Sequence, residues 1–272
     1  MAELSGGPAE GAGPAATTRE AARLRQHKIL SSARERGSLN VTSASRELGV
    51  SVETIRRDLH LLERQGLLRR EYGTAYPVES VGFETDLQHR SESMVAEKRR
   101  IAEAAVHQLQ DAESVFIDEG HLPHVIARTL PADRRLTVVT ASLTVAADLA
   151  VRPQYTVIML GGRVRGRTLA TVDQWVANMI GEFSIDLAYI GANGLSVANG
   201  ATTPDPAVSA VKAAAMRASR RRIFVGTHNK FGVSSFSKFA DVSAFELLIT
   251  DTGLPSRTAH AFSMAGPEVH RV

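Results

Sequence analysis

Two groups of residues in this chain carry side chains able to do chemistry. Ser51, Thr54, Arg56, Arg57 and His60 fall within ten residues, and Arg69 and Arg70 follow closely. Hydroxyls, guanidinium groups and an imidazole at that density suit contact with a polyanion. A guanidinium can grip the O6/N7 edge of guanine with two parallel hydrogen bonds, and Arg57 is the candidate for that contact. Ser51, Thr54 and Arg56 are suited to phosphate oxygens, which set register without reading sequence. Arg69 and Arg70 would reach the flanking backbone. The second group is spread wider. Asp118-Glu119-Gly120, Thr140 and Gly161-Gly162-Arg163 each close a short apolar run, and Arg165, Lys212 and Lys230 add cations. Glycines let a ligand approach the backbone, and these cations could neutralise an anion. Asp118, Glu119, His121 and His124 include metal-ligand types. Pro123 and the loop setting give them no helical pairing, so no metal and no cofactor is expected.

These residues need elements to hold them. On a helical wheel of about 100° per residue, Val52, Ile55, Leu59 and Leu62 share one face of the segment that Ser51 opens. Glu53, Arg57 and His60 then lie opposite, with Thr54 and Arg56 on the flanks. Two helical patterns precede this one, ending at Gly37 and Gly49, and the segment 67–77 reads as two strands around Gly73. Three helices and a hairpin in under sixty residues predict a winged helix-turn-helix. Asp58 falls nearer the apolar face and is expected to pair with a neighbouring arginine. From Ala96 onward, short β-branched runs alternate with helical segments: SVFID, LTVVT, YTVIML, DLAYIG, RRIFVG and FELLIT. That alternation predicts a mostly parallel, doubly wound α/β domain, in which ligands bind beyond the carboxyl ends of the strands.

The predicted organisation is a disordered tail over 1–18, a DNA-binding domain over 19–76 and a linker over 77–95. An α/β sensing and oligomerising domain follows over 96–252, with a loose polar tail over 253–272. Charge divides along the same lines. The chain of 272 residues carries a net +3, yet 19–76 alone holds twelve Lys/Arg against seven Asp/Glu, a net +5. Residues 1–18 contribute −2, and the rest is balanced. A basic module ahead of a neutral one is the layout expected when the first meets nucleic acid. No long apolar run predicts a membrane span, and the first residues do not read as a secretory signal. With no cysteine in the chain, the cytoplasm is the expected location.

The run GVSVETIRRDLHLLERQGLLRREYGTA resembles the signature of DeoR-type bacterial transcriptional repressors, V-S-x-x-T-I-R-R-D-L followed by L-x-x-x-G and a wing. The resemblance continues through Thr140-Ala141-Ser142-Leu143, Gly161-Gly162, Asp186 to Gly191, Gly194, Lys212 and Lys230-Phe231-Gly232. It implies a sensor domain similar to sugar-phosphate isomerases and CoA-transferases that binds a phosphorylated sugar or related metabolite. The chain departs from the pattern in places. Where the family commonly has D-S-G-T-T, it reads Asp118-Glu119-Gly120-His121-Leu122, losing two hydroxyls and gaining a carboxylate. Val208 and Thr227 stand at two positions usually acidic.

The expectation is therefore a DNA-binding regulator, a repressor of a carbohydrate or related operon, and not an enzyme. Its partners would be a double-stranded operator, a small effector such as a sugar phosphate, and further copies of itself as a dimer or tetramer. The helix face with Val211 and Met216 is a candidate for that last contact. Two alternatives stand beside it: an isomerase-like enzyme with a DNA-binding head, using Asp118 and Lys212, and a regulator whose second domain only oligomerises.

Overall fold

The computed structural model describes residues 14–64, 68–71, 73–77, 91 and 93–272. Two compact units divide at Val78/Glu79. The expected tail up to residue 13 and most of the expected linker lie outside the described residues. So do the glycine expected to end the third helix, Gly66, and the side chain of Arg69.

The first unit contains α1 (Pro14–Arg36), β1 (Leu39–Asn40), α2 (Val41–Leu48), α3 (Val52–Arg64), β2 (Leu68–Glu71) and β3 (Thr74–Pro77). Helix α1 starts inside the stretch expected to be tail. Pro14 suits a first helical turn, and the alanines that follow are strong helix formers. The start of α2 had no predicted cap. Asn40 supplies it, its Oδ1 accepting from the Thr42 and Ser43 amides at 2.9 and 3.4 Å. Gly49 closes the helix in left-handed geometry. The wing strands β2 and β3 pair antiparallel, and β1 adds to β3 on the other side. Ile29, Ala33, Leu39, Ala44, Ile55, Leu59, Leu62, Leu68 and Ala75 form the core.

Asp58 is the one carboxylate buried in this unit's described part, and it is 4% exposed. Arg25 pairs with one of its oxygens, and Gln26 Nε2 donates to the other at 2.9 Å. The pairing expected for Asp58 thus runs to α1, fastening the third helix to the first.

The second unit is built on a sheet of seven parallel strands. They are β4 (Ser114–Ile117), β5 (Leu136–Thr140), β6 (Tyr155–Met159), β9 (Ile185–Ile190), β12 (Ser219–Val225), β14 (Leu247–Thr250) and β15 (Glu268–Arg271). Their spatial order is β15-β14-β12-β9-β4-β5-β6, every neighbour parallel. Helices α4 (Val95–Val106), α5 (His121–Thr129) and α6 (Leu143–Ala150) cover one face. Helices α7 (Gln174–Gly181), α8 (Pro206–Ala218) and α9 (Ser256–Ser263) cover the other. Alternation along β4 shows why: Phe116 points into one core while Val115 and Ile117 point into the other. Smaller pieces decorate the carboxyl end. β7 (Arg163–Arg165) and β8 (Ala170–Val172) make a hairpin, and β10 (Gly194–Ser196), β11 (Gly200–Thr203) and β13 (Ser237–Ala240) make a three-stranded sheet.

Two expectations need correction. Residues 253–272 are not a loose tail: α9 docks through Ala259 and Phe262, and β15 completes the sheet beside β14. An edge strand is held by backbone bonds on one side and needs little apolar sequence, so EVHR gave no signal. Val211 and Met216 are each 4% exposed and belong to the sensor's own core, so they offer no face to another copy.

At the amino end of the sheet, Asp186 joins β9 to β4. Its Oδ2 accepts from Ser114 Oγ at 2.8 Å, Ser114 N at 3.0 Å and Glu113 N at 3.1 Å. The Ser114 hydroxyl lowers its pKa most, its partial burial opposes, and the two amides and Arg220 add to the lowering. A carboxyl depressed on folding stabilises the fold above its unfolded pKa and loses that effect as pH falls through the folded value. Asp186→Asn is therefore expected to be destabilising at neutral pH. Its gap from wild type should close as pH drops below the ordinary carboxylate range, as read by denaturant melts across pH. In the first unit, Asp58→Ala is expected to cost about 1.5–3 kcal/mol in urea unfolding, from the loss of hydrogen bonds to a charged group.

Candidate functional site

Helix α3 presents a polar face because its other side is consumed by packing. Ile55 and Leu59 are fully buried, and Leu62 nearly so. Ser51, Arg56, Arg57 and His60 are exposed on the remainder and Thr54 is half-buried. The Ser51 hydroxyl caps the helix, accepting from the Thr54 amide at 3.2 Å and lying 2.9 Å from the Thr54 hydroxyl. Arg56 has only a loose contact with Glu53 at 3.7 Å. Arg57 makes no ion pair among the described residues. Arg70 behaves differently. Its Nε donates to Glu63 Oε2 at 2.8 Å, and its backbone amide donates to Glu63 Oε1 at 3.2 Å. This ties wing strand β2 to the end of α3, with His60 Nδ1 3.4 Å from the same guanidinium. Arg69 sits one position earlier in the strand.

In the second unit, strand order reverses at β4. The chain runs outward from β4 through β5 to β6, then returns to β9 on β4's other side and continues outward through β12 and β14. A parallel sheet opens a crevice at such a switch point, and Asp118 and Gly191 follow the two strands that flank it. Asp118 is 1% exposed. Its Oδ1 accepts from the Glu119 amide at 2.8 Å, and its Oδ2 accepts from the Gly191 amide at 2.9 Å and from Lys212 Nζ on α8. The same ammonium reaches the Gly191 carbonyl at 3.2 Å and Glu119 Oε1 at 3.5 Å. Lys212 is 2% exposed. The lysine expected to await an anion is thus already enclosed by two carboxylates and a carbonyl.

The remaining expected residues separate. Gly120 turns into α5 at φ 105°, a conformation suited to glycine. Thr140 is fully buried, its hydroxyl donating to the Ile117 carbonyl at 2.7 Å and accepting from the Ser142 amide at 3.0 Å. That hydroxyl is spent inside the chain. Arg165 Nε donates to Asp205 at 2.8 Å, and Asp205 caps α8, so the β7 strand is tied to the helix that carries Lys212. Lys230 ends a short turn after β12.

Gly161, Gly162 and Arg163 lie at the end of β6, where they line a concavity of about 490 Å³ together with Asp173, Trp175 and Met179. Asp118, Thr140, Lys212 and Lys230 are not among its lining residues. Gly162 is required there, since a Cβ would stand 2.7 Å from Val176 Cγ2 on α7.

No pattern or spacing singles out Asp173 or Trp175. Asp173 precedes α7 at φ 95°, ψ 176°, and its side chain does not cap the helix. A capping aspartate is ordinarily worth about 1 kcal/mol. A non-glycine backbone in this region ordinarily costs about 1–3 kcal/mol. In exchange the carboxylate meets Arg163 with two bonds, of 2.9 and 3.2 Å, and an ion pair so open to solvent returns little. A second unforeseen group is His228 with Asp251, beyond β12 and β14, where Nδ1 meets Oδ1 at 2.7 Å. Burial works to raise the Asp251 carboxyl, but hydrogen bonds from the His228 amide and ring and the Gly253 amide outweigh it and hold the carboxyl below its ordinary value. His124, the last of the metal-ligand types grouped with Asp118, turns to Asp148 on α6 at 2.7 Å.

The sequence profile of the DeoR C terminal sensor domain matches residues 93–252, and that of the DeoR-like helix-turn-helix domain matches residues 25–81. The HTH-type transcriptional regulator GlpR of Haloferax volcanii is 33% identical over 90% of this chain and 96% of its own length. The glycerol-3-phosphate regulon repressor of Escherichia coli K12 is 29% identical, over 85% of this chain and 91% of its own. Among solved structures, the ribose 5-phosphate isomerase A of Methanocaldococcus jannaschii aligns with a TM-score of 0.36 at 13% identity, covering 49% of this chain and 53% of that one.

The enclosure of Lys212 carries a consequence for stability. Lys212→Met leaves the carboxylates of Asp118 and Glu119 buried without their ammonium, and a loss of about 3–5 kcal/mol is expected in chemical unfolding. Adding Asp118→Asn to that variant should recover part of the loss.

Proposed function

The chain belongs to the DeoR family of helix-turn-helix transcriptional regulators, and from that premise we propose that it represses an operon of carbohydrate or related metabolism in response to a small metabolite. The observation that carries this reading is the exposed face of α3, with Arg57 outward and Ile55 and Leu59 fully buried behind it. In this reading Arg57 reads a base edge, while Ser51, Thr54, Arg56 and His60 position the helix on phosphates and the groove. Arg69 and Arg70 contact the flanking backbone, and Glu63 fixes Arg70 in place for that contact.

The sensing site in this reading is the crevice at the β4/β9 switch point, with Asp118, Gly120 and Lys212 on its walls. Effector binding and operator binding are linked, so the factor by which the effector changes operator affinity is the factor by which the operator changes effector affinity. The unit works as a sensor and not as an enzyme. Lys212 is held by the carboxylates of Asp118 and Glu119, so the pair that an isomerase-like reading would use is already committed to each other. A homo-oligomer, dimer or tetramer, supplies the several reading heads that a specific operator demands. No helix among the described residues is long and apolar enough to cross a membrane, and we place the protein in the cytoplasm with its DNA.

Selection of genomic fragments by the purified protein tests the reading: recovery of a defined operator is expected, and recovery of no sequence above background sinks it. On that operator, Arg57→Ala should cost about 1–3 kcal/mol and relax sequence preference, whereas Arg70→Ala should weaken binding to all sequences alike. Gel retardation against matched and scrambled duplexes separates the two.

A further inference from the structure

The concavity at the end of β6 is built at the expense of its own backbone. Asp173 forgoes its cap and adopts a conformation natural to glycine, and what it holds is the Arg163 guanidinium at the rim. Strain of this kind persists where the surroundings impose it, and it collects at binding sites. Next to the pair stands Trp175, 75% exposed, with Met179 one turn further along α7. The volume of about 490 Å³ is that of a small-molecule site.

We propose that this concavity binds the ring of an unphosphorylated sugar or cyclic polyol. The inference rests on the reading of residues 79–272 as a sensor and adds a second ligand place to it, apart from the β4/β9 crevice. An indole face is electron-rich, and the polarised C–H face of a sugar ring lies well against it. The hydroxyls on the ring's edge need donors and acceptors side by side. Asp173 has lone pairs beyond the two that Arg163 uses, and Arg163 has N–H groups beyond the two that it commits. Two neighbouring hydroxyls can donate to the carboxylate and accept from the guanidinium. The charges of the pair cancel, so nothing here selects a phosphate. Gly161 and Gly162 present bare backbone on the remaining wall. Because α7 packs directly on Gly162, ligand on Trp175 bears on the same helix that contacts the β6 end.

Trp175 is the only tryptophan in the chain, so selectively excited tryptophan emission reports on this place alone. Full-length protein is titrated with D-glucose, D-galactose, D-mannose, D-ribose and myo-inositol, with inorganic phosphate as the control. A saturable change in emission is expected with at least one of the five and none with phosphate. Asp173→Asn and Arg163→Lys should each weaken that response about tenfold or more, the loss of a charge-assisted hydrogen bond. Asp173→Gly should abolish the response while its melting temperature matches or exceeds wild type, because glycine suits the backbone there. Silence toward all five probes overturns the proposal, as does a response that the substitutions leave unchanged. An emission shift that follows protein concentration without any sugar also overturns it and assigns the surface to a second copy of the chain. Retardation of the selected operator by the same preparation keeps the tests apart. Protein that binds operator but ignores the sugars fails this site alone, and protein that binds no DNA fails the regulator reading.

Discussion

The buried contact between Asp118 and Lys212 is where the architecture of the sensor unit converges. A parallel sheet opens between β4 and β9 because the chain leaves them in opposite directions, and an opening leaves backbone groups and polar side chains to satisfy. Asp118 satisfies them in three directions at once, toward its own loop, toward Gly191 and toward α8. Removing charges from water is costly, and the cost is met only when each charge is matched and each remaining lone pair is used. That requirement fixes the position of α8 against the sheet, and through Arg165 and Asp205 the placement of the β7–β8 hairpin. A ligand entering the crevice meets a network already closed. Its binding must either exchange partners with Lys212 or use donors outside this cluster.

The first unit solves a related problem on a smaller scale. Asp58 is buried between α3 and α1 and is matched by Arg25 and Gln26. Together with the buried stripe of Ile55, Leu59 and Leu62, this polar contact holds the rotation of α3 about its axis. That rotation turns Arg57 outward. The carboxylate in the run Arg56-Arg57-Asp58 therefore acts from behind, aiming the neighbours that face solvent.

Much of this was legible in the sequence, for reasons that can be stated. The face of α3 follows from helical periodicity, which any amphipathic helix displays within a dozen residues. The inner strands of the sheet are buried on both faces and so read as apolar runs. What escaped depends on distant partners. Lys212 and Asp118 are 94 residues apart, and nothing local to either shows that each consumes the other. β15 borrows its stability from β14, so its own residues look like loop. Val211 and Met216 look like an available helix stripe until β-strands on one side and α7 on the other are known to cover them. Asp173 was invisible for another reason: its departure lies in backbone angles, and a lone aspartate before a helix reads as an ordinary cap.

The spacing between paired strands bears on how the chain reaches this state. The central pair joins Val115 to Leu187, whereas the wing joins Arg70 to Ala75. Closing a long loop costs entropy before any contact rewards it, so sheets of this connectivity assemble slowly, while compact helical units assemble fast. During synthesis, when N-terminal domains generally fold first, the DNA-reading head is complete while β9 is still unmade. A molecule interrupted at that stage, or one whose sheet fails to close, keeps a folded head that has no sensor to govern it. Quality control of the second unit is then part of the fidelity of regulation, because the surviving fragment is the unit that carries the reading helix.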